Sequence, residues 1–325
     1  MSTEIGGTST ASPPMNERAH RSALALAAAV SGAVGLLGLL GLFVVGAAPG
    51  TAAWAGAVAA IAGRWLFLVG LCLMVGAAFV GTVILPAPPP SFRRLVAIAF
   101  VAAGIGLALV LVALIGASLN VPLWRVAVLR AMPLVVAGVL IAFEWRASQP
   151  SVRGIAAIGI AAAAAMLADV GTSHIASSAE AHPEHVETFV HWLHVLAVGT
   201  WVGGLAALLV SLPALAGDAV RSAVRRFSTS AGIGIGLVAV TGLMRAVQEL
   251  GPLSNLLTTD FGRLLVAKSV LLVALAGLGA GQRLVGVPAA PRRLRPLRRI
   301  GTAELAIAAV VILLAAALVN VPPPA

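Results

Sequence analysis

The sequence predicts an all-α membrane protein, a polytopic bundle of about nine transmembrane helices. Hydrophobic residues make up 60% of the chain and charged residues only 10%, whereas about 25% of residues are charged in ordinary soluble domains. The mean hydropathy is +1.05, and several apolar runs reach about 20 residues, enough to cross a hydrocarbon core of about 30 Å as helix. These runs are apolar on every side, which excludes the alternating pattern of transmembrane strands.

Each predicted span is an apolar segment bounded by charged, Pro-rich or polar residues. The segments cover residues 22–46, 65–86, 94–118, 130–147, 154–171, 187–212, 228–249, 262–284 and 301–320. They are joined by linkers that include PAPPPS at 86–91, a His/Glu-rich stretch at 172–187 and VPAAPRRLRPLRR at 287–299. Residues 51–63 are apolar but short, and form either an interfacial helix or an extension of the second span.

The basic residues predict the orientation of these spans. Most of the 21 lysines and arginines fall on one side, and this side is expected to be cytoplasmic because cytoplasmic loops are enriched in Lys and Arg. The N-terminus then lies inside and the C-terminus outside. The same mapping explains the net charge of +10 without a nucleic-acid partner; the expected partner is the lipid bilayer.

Three regions follow from this reading. Residues 1–21 are predicted to be a disordered cytoplasmic tail, residues 22–152 to form spans 1–4, and residues 153–322 to form spans 5–9. Arg18 and Arg21 before the first apolar run also resemble a signal peptide, but a run of about 25 residues exceeds the usual 7–15, which favours an uncleaved helix.

A cluster of histidines predicts a metal site on the extracytoplasmic side. Five of the six histidines lie between residues 174 and 194, and Glu187, His191, His194 and Trp201 share one helical stripe of the sixth span. His194 lies about 10 Å deeper than Glu187, where an ionisable group is costly unless it faces the protein interior or a ligand. Single histidines near helix ends usually only form hydrogen bonds, but this clustering favours metal binding by imidazole nitrogen.

Further side chains near the same depth are candidates for this site. Asp169 lies just inside the preceding helix and offers a carboxylate. Met166 and Met244, together with Met132, offer thioether sulfur, a soft ligand suited to Cu(I), although single methionines more often fill gaps in packing. Trp201 is expected to shape the pocket below the metal.

The polar residues of the last spans are expected to form ion pairs. Lys268, about two turns into the eighth span, needs a partner within the membrane, and Asp169, Glu187 and Glu249 are the candidates. Arg245 and Glu249 are four residues apart on one helix and are predicted to pair with each other.

A series of motifs resembles the copper resistance D (CopD) family of membrane proteins. HVLAVGTWVGG at 194–204 is similar to the core motif of that family. The resemblance continues in order and covers roughly residues 153–322, with SH at 173–174, RRFS at 225–228, TG at 241–242, GRLLVAK at 262–268, QR at 282–283, and Glu304 near the start of the last span.

The resemblance implies a multi-pass protein of the plasma (inner) membrane that serves copper uptake or homeostasis and is not an enzyme. It also implies that copper arrives from an extracytoplasmic carrier of the CopC type, which must be a separate chain because no CopC-like β-domain is fused here. The metal ligands that it implies are His174 and His194. His191 lies outside the family motif, and Gln282 stands where asparagine is common.

Two other functions stay open from the residues alone. Two histidines on neighbouring helices could hold haem b as axial ligands in an electron-transfer protein; the absence of a CxxCH motif excludes covalent haem. The chain could instead deliver copper to a respiratory oxidase during assembly. No nucleotide-binding or paired-carboxylate motif is present, so transport is expected to be passive or coupled to an ion gradient.

Overall fold

A computed structural model describes residues 52–115, 123–177, 185–286 and 294–321, without the side chains of residues 52–55, 173–177, 185 and 285–286. Within these ranges the regular structure is entirely helical, which confirms the all-α prediction. The predicted tail at 1–21 and the predicted first span at 22–46 lie outside the described residues.

The described residues form ten α-helices, interrupted or extended by π-helical turns. The α-helices are α1 Ala52–Phe79, α2 Ser91–Ile115, α3 Leu123–Arg146, α4 Val152–Ser177, α5 His185–Val198, α6 Gly204–Ser211, α7 Asp218–Leu250, α8 Asn255–Thr258, α9 Asp260–Gly281 and α10 Leu294–Leu318. The π-helical turns are Val80–Ile84, Gly199–Gly203 and Gln282–Gly286, and Leu212–Ala214 is a 3₁₀ turn.

Eight helical segments of the described chain are long and apolar enough to cross a membrane. They are Gly56–Ile84, Ser91–Ile115, Leu123–Arg146, Val152–Thr172, Val186–Ala214, Asp218–Leu250, Asp260–Leu284 and Leu294–Leu318. They correspond one to one with predicted spans 2–9. The apolar stretch at 51–63 is an extension of the second span, because α1 runs without a break from Ala52 to Phe79.

Three predicted helix starts are seven to ten residues too late. α3 begins at Leu123, seven residues before the predicted 130. α7 begins at Asp218, ten residues before the predicted 228. α10 begins at Leu294, so the arginines at 295, 298 and 299 lie on a helix and not in a linker. The apolar run marks only the part of a helix within hydrocarbon, whereas the helix itself continues where water and polar side chains satisfy its end.

α1 is the central helix of the bundle. It is the most buried of the eight spans and contacts α2, α4, α6 and α10. Small residues let its backbone approach α2: a Cβ added to Gly63 would lie 2.8 Å from the carbonyl oxygen of Gly106. Glycine at helix crossings is a common way to build such contacts in membranes, where van der Waals packing replaces the hydrophobic driving force.

One hydrophobic core joins the two predicted transmembrane regions. Its buried members include Phe67 and Leu71 from α1, Ile158 from α4, Leu208 from α6 and Phe227 from α7. The predicted boundary at 152/153 therefore does not separate two cores; spans on both sides of it pack as one body.

Contacts between distant loops show which chain segments share an end of the bundle. Arg226 donates hydrogen bonds to the carbonyl oxygens of Val83 and Ile84, and Arg93 donates to the carbonyl of Ala147. All of these positions were predicted to lie on the cytoplasmic side. Their grouping at one end agrees with the predicted alternation of spans, while the assignment of that end to the cytoplasm stays a prediction.

Candidate metal site and its surroundings

His194 is held by a hydroxyl group of the neighbouring helix α7. It is partly buried on α5, and its Nδ1 lies 2.8 Å from Oγ1 of Thr241. That hydroxyl has a single proton, which it donates to the carbonyl oxygen of Leu237 at 2.6 Å. With that proton engaged, the hydroxyl accepts from Nδ1–H, and Nε2 is then the nitrogen with the free lone pair. This tautomer presents His194 as a possible metal ligand.

Charged side chains of α7 and α9 surround His194. Arg245 and Glu249 form the predicted i,i+4 ion pair. The positive charges of Lys268 and Arg245 both act on the His194 ring, and Glu249 acts on Lys268. Of the three carboxylates predicted as partners of Lys268, the structure thus places Glu249 within electrostatic reach of it.

Asp169 lies between two arginines. It is 1% exposed, and its two oxygens lie 3.0 Å from Arg64 and 3.2 Å from Arg130. Arg130 also donates from Nε to Oγ1 of Thr172 at 2.9 Å. This cluster joins α1, α3 and α4 within the bundle. The sequence did not predict that either arginine pairs with Asp169.

Asp169 and His194 therefore contact different helices. Asp169 faces α1 and α3, whereas His194 faces α7. Trp192, two residues before His194, donates to the carbonyl of Ala163 and so anchors the opposite side of α5 to α4. In the described part of the chain, no group of three or more His, Cys, Asp and Glu residues could hold a metal ion.

The remaining imidazole and carboxylate candidates lie on or next to α5. Glu187 is in its first turn, and both Glu187 and His191 are partly buried. Position 174 is within α4, which packs against α5, but the His174 side chain lies outside the described residues. A metal site shared by His174, His191 and His194 stays a prediction.

The three methionine candidates have different surroundings. Met166 is fully buried, with its methyl group directed to Gly199 between α4 and the π turn after α5. Met244 is 47% exposed on α7 and Met132 is 62% exposed on α3, so both face the outside of the described bundle. Of the three, Met166 is the one that the fold places in the interior.

Trp201 lies in the π turn Gly199–Gly203, below His194. Its side chain is 8% exposed and packs with Val238 of α7 and Ala308 of α10. A π turn adds one residue to the helical repeat and is often found at functional positions. The turn also brings Gly203 against the backbone of α1, where a Cβ would overlap the carbonyl oxygen of Cys72. Cys72 itself is buried.

Eight membrane-length helices in one packed body define a multi-pass helical membrane protein. Residues 221–318 match the family model described as Copper resistance protein D, CopD. The resemblance predicted from the motifs is thus confirmed for this part of the chain. The match contains the motifs from RRFS to Glu304, while His174 and His194 precede it.

A curated relative supports the same grouping. The chain is 30% identical over 167 residues to a protein named Copper transport protein CutJ from Bacillus subtilis (strain 168). The aligned part is 49% of this chain and 29% of that protein, so the chain spans less than a third of the relative's length. No solved structure matches the chain.

Proposed function

We propose that this chain handles copper in the plasma membrane, accepting it at an extracytoplasmic site built around His194 and passing it inward. The observation that carries the proposal is the hydrogen bond from His194 to Thr241, which leaves Nε2 as a lone-pair donor at the predicted outer end of the bundle. The CopD match and the name of the CutJ relative support copper as the substrate. The role is transport and not catalysis.

The other ligands of this site are imidazoles. His174, on α4, and His191, one turn before His194, complete the site in the proposal. Met166 is a soft donor in the interior and is available along the inward route. Asp169 is engaged by two arginines and contributes charge balance rather than a metal–oxygen bond. Copper arrives from an extracytoplasmic carrier of the CopC type.

The surrounding charges favour the lower oxidation state of copper. Lys268 and Arg245 both act on His194 as positive charges, and in the described part of the chain the Glu249 carboxylate pairs directly with Arg245. Repulsion between charges in a medium of low dielectric grows with the charge of the incoming ion. Cu(I) therefore costs less to bind here than Cu(II), and imidazole and thioether ligands suit Cu(I) as well.

Thr241→Val is expected to weaken copper binding. Valine has nearly the same shape as threonine but cannot accept the Nδ1–H bond, so the ring is free to place its proton on Nε2 and to rotate. Loss of such a partner typically reduces metal affinity about 10–100-fold. The measurement is a titration of the purified full chain with Cu(I) under reducing conditions.

Thr241→Ser is the matched control, because serine keeps the hydroxyl group; its affinity should stay within about threefold of wild type, well inside the loss expected for the valine variant. His194→Ala should abolish the same binding event. Equal affinities of wild type, Thr241→Val and His194→Ala would refute the proposed site. An intense Soret band in the protein as isolated would assign His194 to haem instead.

A further inference from the structure

A cavity of about 260 Å³ begins at Trp201, in the π turn that follows the helix of His194. It follows α6 downward from Trp201 and is enclosed by α7, the end of α9 with its π turn, and α10. Its walls are mainly Leu, Val, Phe and Ala side chains. The polar groups that reach it are Ser228, Gln282, Arg283 and Glu304.

Glu304 and Gln282 place acceptor oxygens in this apolar cavity without matching donors. Glu304 is 8% exposed, and its Oε1 accepts no hydrogen bond from the described part of the chain. The same holds for Oε1 of Gln282, whose side chain lies within hydrogen-bonding reach of the Glu304 carboxylate. A buried acceptor that lacks a donor costs free energy, and a buried carboxylate that lacks a counter-charge costs more.

A second buried glutamate has hydrogen-bond donors from the protein for both of its carboxylate oxygens. Glu144 is also 8% exposed. Its Oε2 accepts from the backbone N–H of Ser151 at 2.8 Å, and its Oε1 accepts from the hydroxyl of Ser151 at 2.7 Å. Glu144 and Glu304 thus have equal exposure, but both oxygens of Glu144 accept hydrogen bonds, whereas Oε1 of Glu304 accepts none within the described residues. Glu304 is the one that leaves room for an external positive charge.

We propose that Glu304 and Gln282 form a binding site for a hard monovalent cation, a proton or Na⁺, whose exchange at the inner end is coupled to copper movement. Carboxylate and amide oxygens suit hard cations and are poor ligands for Cu(I), so this is not a second copper site. The coupling rests on the proposed copper function, whereas the cation site itself does not.

Arg283 supplies the charge balance that such a site needs. It is the other charged residue that lines the cavity within the described chain, and its guanidinium lies against Gly232 of α7. When the cation leaves, the Glu304 carboxylate still has a positive group within the same cavity. The faces of α6 and α7 that line the cavity contribute no further ionisable side chain.

The cation site is tested on the wild-type full chain with dicyclohexylcarbodiimide, an apolar reagent that modifies protonated carboxyl groups. Peptide mass spectrometry should find Glu304 modified and Glu144 unmodified. If the ion is Na⁺, labelling falls when Na⁺ replaces choline in the buffer; if it is a proton, labelling falls only with rising pH. No labelling of Glu304, or labelling indifferent to both Na⁺ and pH, would overturn the site.

Coupling is tested by copper uptake into proteoliposomes with an imposed Na⁺ or proton gradient. The gradient should accelerate uptake by the wild type and by Ser228→Ala, a cavity-lining control. Glu304→Gln should lose this acceleration while it keeps wild-type copper affinity at the His194 site. A wild-type rate of copper uptake that is unchanged by either gradient would overturn the coupling.

The two proposals fail in distinguishable ways. Absence of copper uptake by the wild type, combined with cation-protected labelling of Glu304, would remove the copper function and retain the cation site. Labelling in the wild type needs no variant, so the result does not depend on whether Glu304→Gln folds.

Discussion

Replacing Asp169 with asparagine should destabilise the folded protein by about 3–5 kcal/mol, the usual cost of removing one partner from a buried ion pair. The side chains of Arg64 and Arg130 are only 12% and 6% exposed, and the Asp169 carboxylate between them carries the negative charge of the cluster. Asparagine keeps the shape but leaves both guanidinium charges without that anion. Unfolding of the purified chain in detergent by a chemical denaturant measures the loss.

Asp260→Asn is the matched control for this change. It also removes one carboxylate from a pair with arginine, but the side chains of Arg263 and Asp260 are 55% and 59% exposed and lie on one helix. Pairs of this kind contribute about 0.3–0.5 kcal/mol. The two variants should therefore differ several-fold in their loss of stability, and similar losses would contradict the buried role of Asp169.

The same variant separates a structural role of Asp169 from a role as metal ligand. If Asp169 neutralises the arginines, the fraction of Asp169→Asn that remains folded binds Cu(I) nearly as well as wild type. If Asp169 binds the metal, affinity collapses while the denaturation midpoint stays unchanged. The second outcome would return Asp169 to the ligand set predicted from the sequence.

Hydropathy predicted the spans well because the bilayer imposes one length on each of them. A segment such as 262–284 must be apolar for about 20 residues whatever its neighbours are. The depth of each residue was predicted by the same counting along its span, and for Asp169 it stays a prediction. The rotation of each helix about its own axis was not predictable. Arg64 and Asp169 form an ion pair although they are 105 positions apart in sequence. The alanine-rich sequence before Asp169 does not distinguish the helix face that packs against α1.

Only the part of the candidate site that depends on spacing along one helix could be predicted from the sequence. The stripe through His191 and His194 follows from helical spacing, but the contact of His194 with Thr241 depends on how α5 packs against α7. The π turn at Gly199–Gly203 shifts the helical register just before Trp201 reaches its position. The pairing of Glu304 with Gln282 was missed as well, because neither residue stands out until the two helices that carry them enclose a cavity.

Gly203→Ala should have the second large effect, because at this position two backbones are in contact. A Cβ at 203 would overlap the carbonyl oxygen of Cys72, and a Cβ on Gly76 of the facing helix would overlap the backbone of Gly203. Overpacking of a well-packed core costs about 1–3 kcal/mol, and a clash with backbone lies at the upper end because a rotamer change cannot relieve it. Separation of α1 from the π turn would also displace Trp201.

Gly236→Ala supplies a control of opposite sign within the same protein. Gly236 lies inside α7, is exposed, and has nothing within 4 Å of an added Cβ. Alanine is favoured over glycine in a helix interior by about 0.5–1 kcal/mol, so this variant should be slightly more stable than wild type. Denaturant midpoints of the two variants should thus move in opposite directions from the wild type. If both substitutions stabilise the protein, α1 and the π turn do not meet at Gly203, and the central position of α1 in the bundle would have to be revised.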